Sequence, residues 1–140
     1  MRYLLIVSVL IFSCTRSAKI SRTSPCYNQL KSELKGNWKP SKDSSYFIVT
    51  EKLLVLLDSV YKSCILSLNK NQIISLFGKP TVIQSPAAEF HYPYALSYLI
   101  TPPCDASHGY TECSYYIFSL DSIFKVKRCD HMFVQGVVEH

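Results

Sequence analysis

Hydrophobic spacing changes once along this chain of 140 residues, and the change falls at Gly78-Lys79-Pro80. Before that point Leu53, Leu56, Leu57, Val60 and Tyr61 recur at helical spacing. They predict a helix from about Glu51 to Lys62, with Thr50 as its N-cap. Asn69 opens a second helix, Gln72 stands at its third position as in a capping box, and Ile73, Leu76 and Phe77 form its apolar face. Gly78 ends that helix, because glycine alone takes left-handed backbone without strain, and Pro80 bars its continuation. After Pro80 the period falls to two. Thr81 to Gln84, Phe90 to Tyr92, Tyr94 to Ile100, Ser114 to Leu120 and Ile123 to Cys129 are rich in Tyr, Ile, Val and Phe, the residues of strands. Asp121-Ser122 reads as a tight turn between the last two, and Pro93 confines its strand to an edge or a break.

Helices first and a meander after them leave one economical arrangement. Two helices gather on one side of a three- to four-stranded antiparallel meander, an α+β two-layer sandwich. The length allows one domain with a real core. At 48% hydrophobic and 18% charged the chain is too apolar to be disordered, and its composition excludes collagen and coiled coil. Upstream, Ser24-Pro25 reads as an N-cap followed by proline at the first helical position. Cys26, Leu30 and Leu34 then make a short helix that Gly36 stops, and Trp38 through Ser45 reads as a loop.

Leu68 to Pro80, with its Leu-Phe-Gly-Lys-Pro ending, resembles the helix, Leu-(Leu/Phe)-Gly-x-Pro, strand signature of the BamE/SmpA/OmlA-type small lipoproteins. Phe118-Ser119-Leu120-Asp121 followed by Phe124-Lys125-Val126 is similar to the closing hairpin of that family. The resemblance covers residues 50–129 and implies the helix-helix-meander fold shared with beta-lactamase-inhibitor-like domains. It makes Gly78 and Pro80 a structural motif. It also implies a non-catalytic accessory role, since the family's best-known member assists insertion of outer-membrane barrels. The chain departs from the family in carrying four cysteines inside the domain and a Pro-Pro-Cys loop between strands.

The N-terminus points to the same class. Arg2 precedes an uncharged run from Tyr3 to Phe12, which as a helix would rise about 15 Å, half a hydrocarbon core. That length suits a signal h-region rather than a span. Ile11-Phe12-Ser13-Cys14 resembles a lipobox, so 1–13 reads as a lipoprotein signal peptide and Cys14 as the acylated residue. Residues 14–49 then comprise the lipidated cysteine, a basic tether and the short helix and loop, and 130–140 a C-terminal tail. Residues 16–42 carry seven cations against Glu33 alone, and residues 43–124 carry four against seven acids. A basic tether beside a lipid anchor suits anionic headgroups, and a solvated basic linker is the plainer alternative. Dispersed lysines and no recognition motif speak against nucleic acid as a partner. Thr15, in place of an inner-membrane-retaining Asp, and no run of acids after Cys14 predict the periplasmic face of the outer membrane.

Five cysteines remain beyond Cys14, so one thiol is left over. In an exported protein disulfides are the default. Cys104 and Cys113 flank the loop DASHGYTE and form the best pair, with Cys64 and Cys129 a second candidate. The same loop offers Cys104, His108 and Cys113 as zinc ligands, with His91, His131 or Asp105 as a fourth, but the spacing matches no zinc module. A Cys104/His108 nucleophile pair has no orienting third group. No nucleophile elbow, HExxH or phosphate loop occurs, so the sequence predicts no catalytic residues, no metal and no cofactor. His91, Tyr92, Tyr94 and Tyr98 read either as an aromatic binding face or as core. The expected function is a membrane-anchored scaffold or accessory module that binds the bilayer through Cys14 and a protein partner through its domain. The alternatives are a soluble secreted binding or inhibitor domain and a cysteine-based exported enzyme.

Overall fold

The computed structural model of the chain describes residues 24–84, 92–103 and 112–135. The elements run α1 (Pro25–Asn37), β1 (Trp38–Pro40), β2 (Phe47–Val49), α2 (Glu51–Asp58), α3 (Lys62–Ile65), α4 (Lys70–Phe77), β3 (Val82–Gln84), β4 (Tyr94–Leu99), β5 (Glu112–Leu120) and β6 (Val126–Gln135). β3 to β6 form a four-stranded antiparallel sheet in chain order, and β1 pairs with β2 in a separate two-stranded sheet. The fold is α+β, as the period change requires.

Each helix start is set by its own side chains. Ser24 Oγ accepts from the Tyr27 N–H at 3.2 Å, and Thr50 Oγ1 accepts from the Leu53 N–H at 3.3 Å. Asn69 and Gln72 close a full capping box, each side chain accepting from the other's backbone N–H at 3.0 Å. These bonds satisfy donors that the first helical turn leaves without partners. The helical backbone of α1 is broken at Lys35 and Gly36, and Gly36 takes a φ of +92°. At the end of α4, Gly78 has φ +86° and ψ −169° and donates its N–H to the Ile74 carbonyl at 2.9 Å. The positive φ is as expected. The ψ is extended rather than left-handed helical, a combination open essentially to glycine alone.

Three local expectations are corrected, and a fourth lies largely outside the described residues. The helix expected to reach Lys62 stops at Asp58. Ser59 leaves helical geometry, its hydroxyl donates back to the Val55 carbonyl, and the Tyr61 N–H bonds five residues back to Leu56. Val60, placed on the apolar stripe by spacing, is therefore 64% exposed, and α3 follows as a separate turn. Trp38 to Pro40 is not loop but strand, paired with Phe47 to Val49, and Asp43 organises the turn between them. The β5–β6 turn is longer than Asp121-Ser122. Asp121 Oδ1 accepts from the Ile123 and Lys125 N–H groups, Phe124 takes φ +60°, and β6 starts at Val126 and runs to Gln135. The expected strand at Phe90 to Tyr92 falls largely outside the described residues.

The core lies between the sheet and the helices. Leu96, Tyr98, Tyr116 and Phe118 of β4 and β5 are at most 1% exposed and meet Leu30 of α1, Leu53 and Leu57 of α2, Ile65 of α3 and Phe77 of α4. Leu68 to Lys70 add to the far end of the sheet. The Val126 N–H bonds the Leu68 carbonyl at 3.0 Å, and the Lys70 N–H bonds Phe124 at 2.9 Å. A Cβ at Gly78 would sit 3.7 Å from the Phe47 ring, which is ordinary contact, so backbone strain and not collision is the cost there. Gly78→Val is expected to lower unfolding free energy by about 1–3 kcal/mol. Asn69→Ala is expected to cost about 0.5–2 kcal/mol, both read by denaturant unfolding.

Candidate functional site

The motif residues open onto a concave surface. Where α4 gives way to β3, the β1–β2 hairpin stands opposite Gly78-Lys79-Pro80, and the two enclose a groove of about 670 Å³. Trp38, Phe47 and Phe77 form its apolar floor, Ser44, Ser75 and Thr81 contribute hydroxyls, and Lys79 is the charged lining side chain among the described residues. The floor is rigid because it is part of the core. Trp38 meets Phe77 edge-on with centroids 5.0 Å apart and Phe47 at 5.3 Å, while Tyr98 lies 5.7 Å from Trp38.

Two hydrogen bonds fix this corner. Trp38 Nε1 donates to the Phe77 carbonyl at 3.0 Å in a buried position, and the Tyr98 hydroxyl donates to the Gly78 carbonyl at 2.9 Å. The terminal carbonyls of a helix need partners, and here two aromatic side chains from distant elements supply them. Burial pushes the Tyr98 hydroxyl far above its ordinary pKa near 10. The turn across the groove is held by Asp43, which accepts from Ser41 Oγ, Ser45 Oγ and the Ser45 N–H. The Ser41 bond leads those donors in lowering its pKa to about 2. No sequence pattern marked Trp38 or Ser44 as neighbours of the Gly78 motif; the proline and glycine punctuation located only one wall.

The cysteines are arranged differently from expectation. Cys64 is bonded to Cys26, 38 residues earlier, with a Cα–Cα distance of 6.1 Å, so the Cys64–Cys129 pair is excluded. The reason is local. The early stop of α2 turns α3 so that Cys64 meets the first turn of α1, and Cys129 stays a buried free thiol on β6. Cys113 is disulfide-bonded, and Cys104, its expected partner, lies outside the described residues. Cys14, His91, Asp105 and His108 lie outside them as well. Burial raises the Cys129 thiol, and Tyr116 lies within hydrogen-bonding reach of it while donating to Asp58 Oδ1 at 3.1 Å. Burial, followed by Cys129 and Asp58, pushes the Tyr116 hydroxyl far upward too. A protonated thiol beside a neutral phenol is a poor nucleophile. His131, opposite Tyr116 in the register, has a buried Nε2 with no hydrogen-bond partner among the described residues, and its ring centre lies 4.5 Å from that of Phe133 with the two planes inclined at 45°. Among the described residues no three His, Cys, Asp or Glu side chains cluster to hold a metal. Of the aromatic face, Tyr98 is core and Tyr94 is 40% exposed.

Among the described residues no helix is long and apolar enough to cross a membrane. The chain matches no family model, no curated protein and no solved structure.

Two measurements check this description. Opening the Cys26–Cys64 bond by Cys26→Ala is expected to cost about 2–4 kcal/mol, since it frees a long loop in the unfolded chain. Tyr98 and Tyr116 should stay un-ionised in a spectrophotometric titration carried past the ordinary tyrosine value near 10. Because both folded values lie above the unfolded one near 10, their contribution is intact below pH 10 and is lost as pH rises beyond it. Unfolding at alkaline pH should therefore release a step of phenolate absorbance.

Proposed function

We propose that this chain is a membrane-anchored, non-catalytic lipoprotein that serves as a scaffold or accessory protein-binding module in the periplasm. Acylated Cys14 would hold it on the periplasmic face of the outer membrane, and envelope assembly is the process implied by the resemblance to BamE-type lipoproteins. The observation that carries this reading is the behaviour of Leu68 to Pro80. Those residues form a capped helix, a glycine at φ +86° and an exit into the first strand of a meander, as the family signature implies. The groove beside that junction adds support, because its apolar floor and hydroxyl-bearing rim suit a polypeptide ligand. Two or three acyl chains would give a stable anchor, whereas one would give a reversible one.

The mass of the mature N-terminus tests the reading. Export in a bacterial host should yield a chain that begins at Cys14 and carries diacylglycerol and an N-linked acyl chain such as palmitate. It should fractionate with the outer membrane and resist protease added to intact cells. An unmodified N-terminus would replace this reading with the secreted binding or inhibitor domain.

A further inference from the structure

At the opposite end of α4 from the groove, the β5–β6 turn forms a convex apolar tip. Ile123 is 70% exposed and Phe124 39%, and Tyr94, at the start of β4, lies on the Phe124 ring with centroids 4.7 Å apart. Lys70, the first residue of α4, holds its Nζ 5.1 Å from the centre of the same ring. The backbone makes this choice of residue unusual. Phe124 sits at φ +60°, where glycine or asparagine is at ease and a bulky side chain is strained. The bonds that shape the turn need no phenyl group, since they run from the Phe124 N–H to Asp121 and from the Lys70 N–H to the Phe124 carbonyl. An exposed ring kept at a strained position points to a use outside folding.

Charge narrows that use. Asp121, the turn's own carboxylate, is occupied by two backbone N–H groups and by Lys127 Nζ at 3.4 Å. Lys70 and Lys125 flank the apolar tip, and among the described residues neither forms a salt bridge with a carboxylate. We propose that this tip docks into the interfacial layer of an anionic bilayer. Ile123 and Phe124 enter the upper acyl region, the Tyr94 ring lies at headgroup level, and Lys70 and Lys125 reach lipid phosphates. Aliphatic and aromatic side chains ringed by lysine on a convex surface have the chemistry of interfacial belts, with lysine stems lying along the apolar part. The inference rests on the anchored reading above. The ten peptide units that join Cys14 to Ser24 span at most about 35 Å, so an acylated Cys14 would keep the domain close to the bilayer that the tip would enter.

The test uses the full chain carrying Ile123→Trp, reconstituted into vesicles of phosphatidylcholine and phosphatidylserine with brominated acyl chains. The introduced indole should be quenched, while buried Trp38, the chain's own indole, is not. Quenching should fall roughly threefold when phosphatidylserine is left out, or when Lys70→Glu is added. Adding Phe124→Asn should lower quenching and also raise the unfolding temperature, a pairing that a purely structural residue would not give. An acylated chain whose introduced indole is untouched by brominated lipid overturns the tip and leaves the anchor. An unmodified N-terminus with quenching intact removes the anchor and leaves the tip. A photocrosslinker at Ser122 that captures protein while the indole stays unquenched would assign the tip to a protein partner and end the proposal.

Discussion

The indole of Trp38 donates to the carbonyl of Phe77 at the point where α4 stops, and the arrangement of the molecule follows from that bond. It is buried, so losing it would leave a carbonyl without water or partner. The same ring contacts Phe47, Phe77, Tyr98 and Tyr116, which come from the small sheet, α4 and two strands of the large sheet. One side chain thereby joins the hairpin, a helix terminus and the meander. The groove lies beside this junction because its floor is that aromatic cluster and its walls are the elements that the cluster joins.

The disulfide acts on a different link. Cys26–Cys64 ties α1 to α3, and Tyr27, next in sequence, donates its hydroxyl to Ser75 Oγ on α4 at 3.3 Å. The N-terminal helix is thus part of the core rather than an appendage of a tether, with Leu30 and Leu34 buried in it. If Cys14 is acylated, the nine residues 15–23 separate the anchor from the packed domain. The convex tip at the other end of α4 would be a second contact with the same surface.

Local chemistry in the sequence foretold several elements well. Asn69 with Gln72, Thr50 before Glu51, and Ser24 before Pro25 are short-range bonds that need nothing from the rest of the chain. Where the prediction failed, hydrophobic spacing carried no record of the bonds that decided the outcome. The apolar stripe over Leu53 to Tyr61 has good helical spacing, yet Ser59 breaks it and turns Cys64 toward Cys26. The Asp121 turn was recognised by its residue type, but its length was not, since the Lys70 N–H and the Leu68 carbonyl also fasten it.

The sequence by itself determined the class of fold. Helix caps, glycine and proline punctuation and the change of period from 3.6 to 2 are encoded within a few residues, so they can be read without a tertiary structure. The tertiary structure decided which cysteines pair, that Trp38 belongs to a strand and a core, and that Ile123 and Phe124 stand out on a strained turn. Those outcomes depend on contacts between residues tens of positions apart. Their free energies come from burial and closure of the whole chain, and no local pattern carries that information.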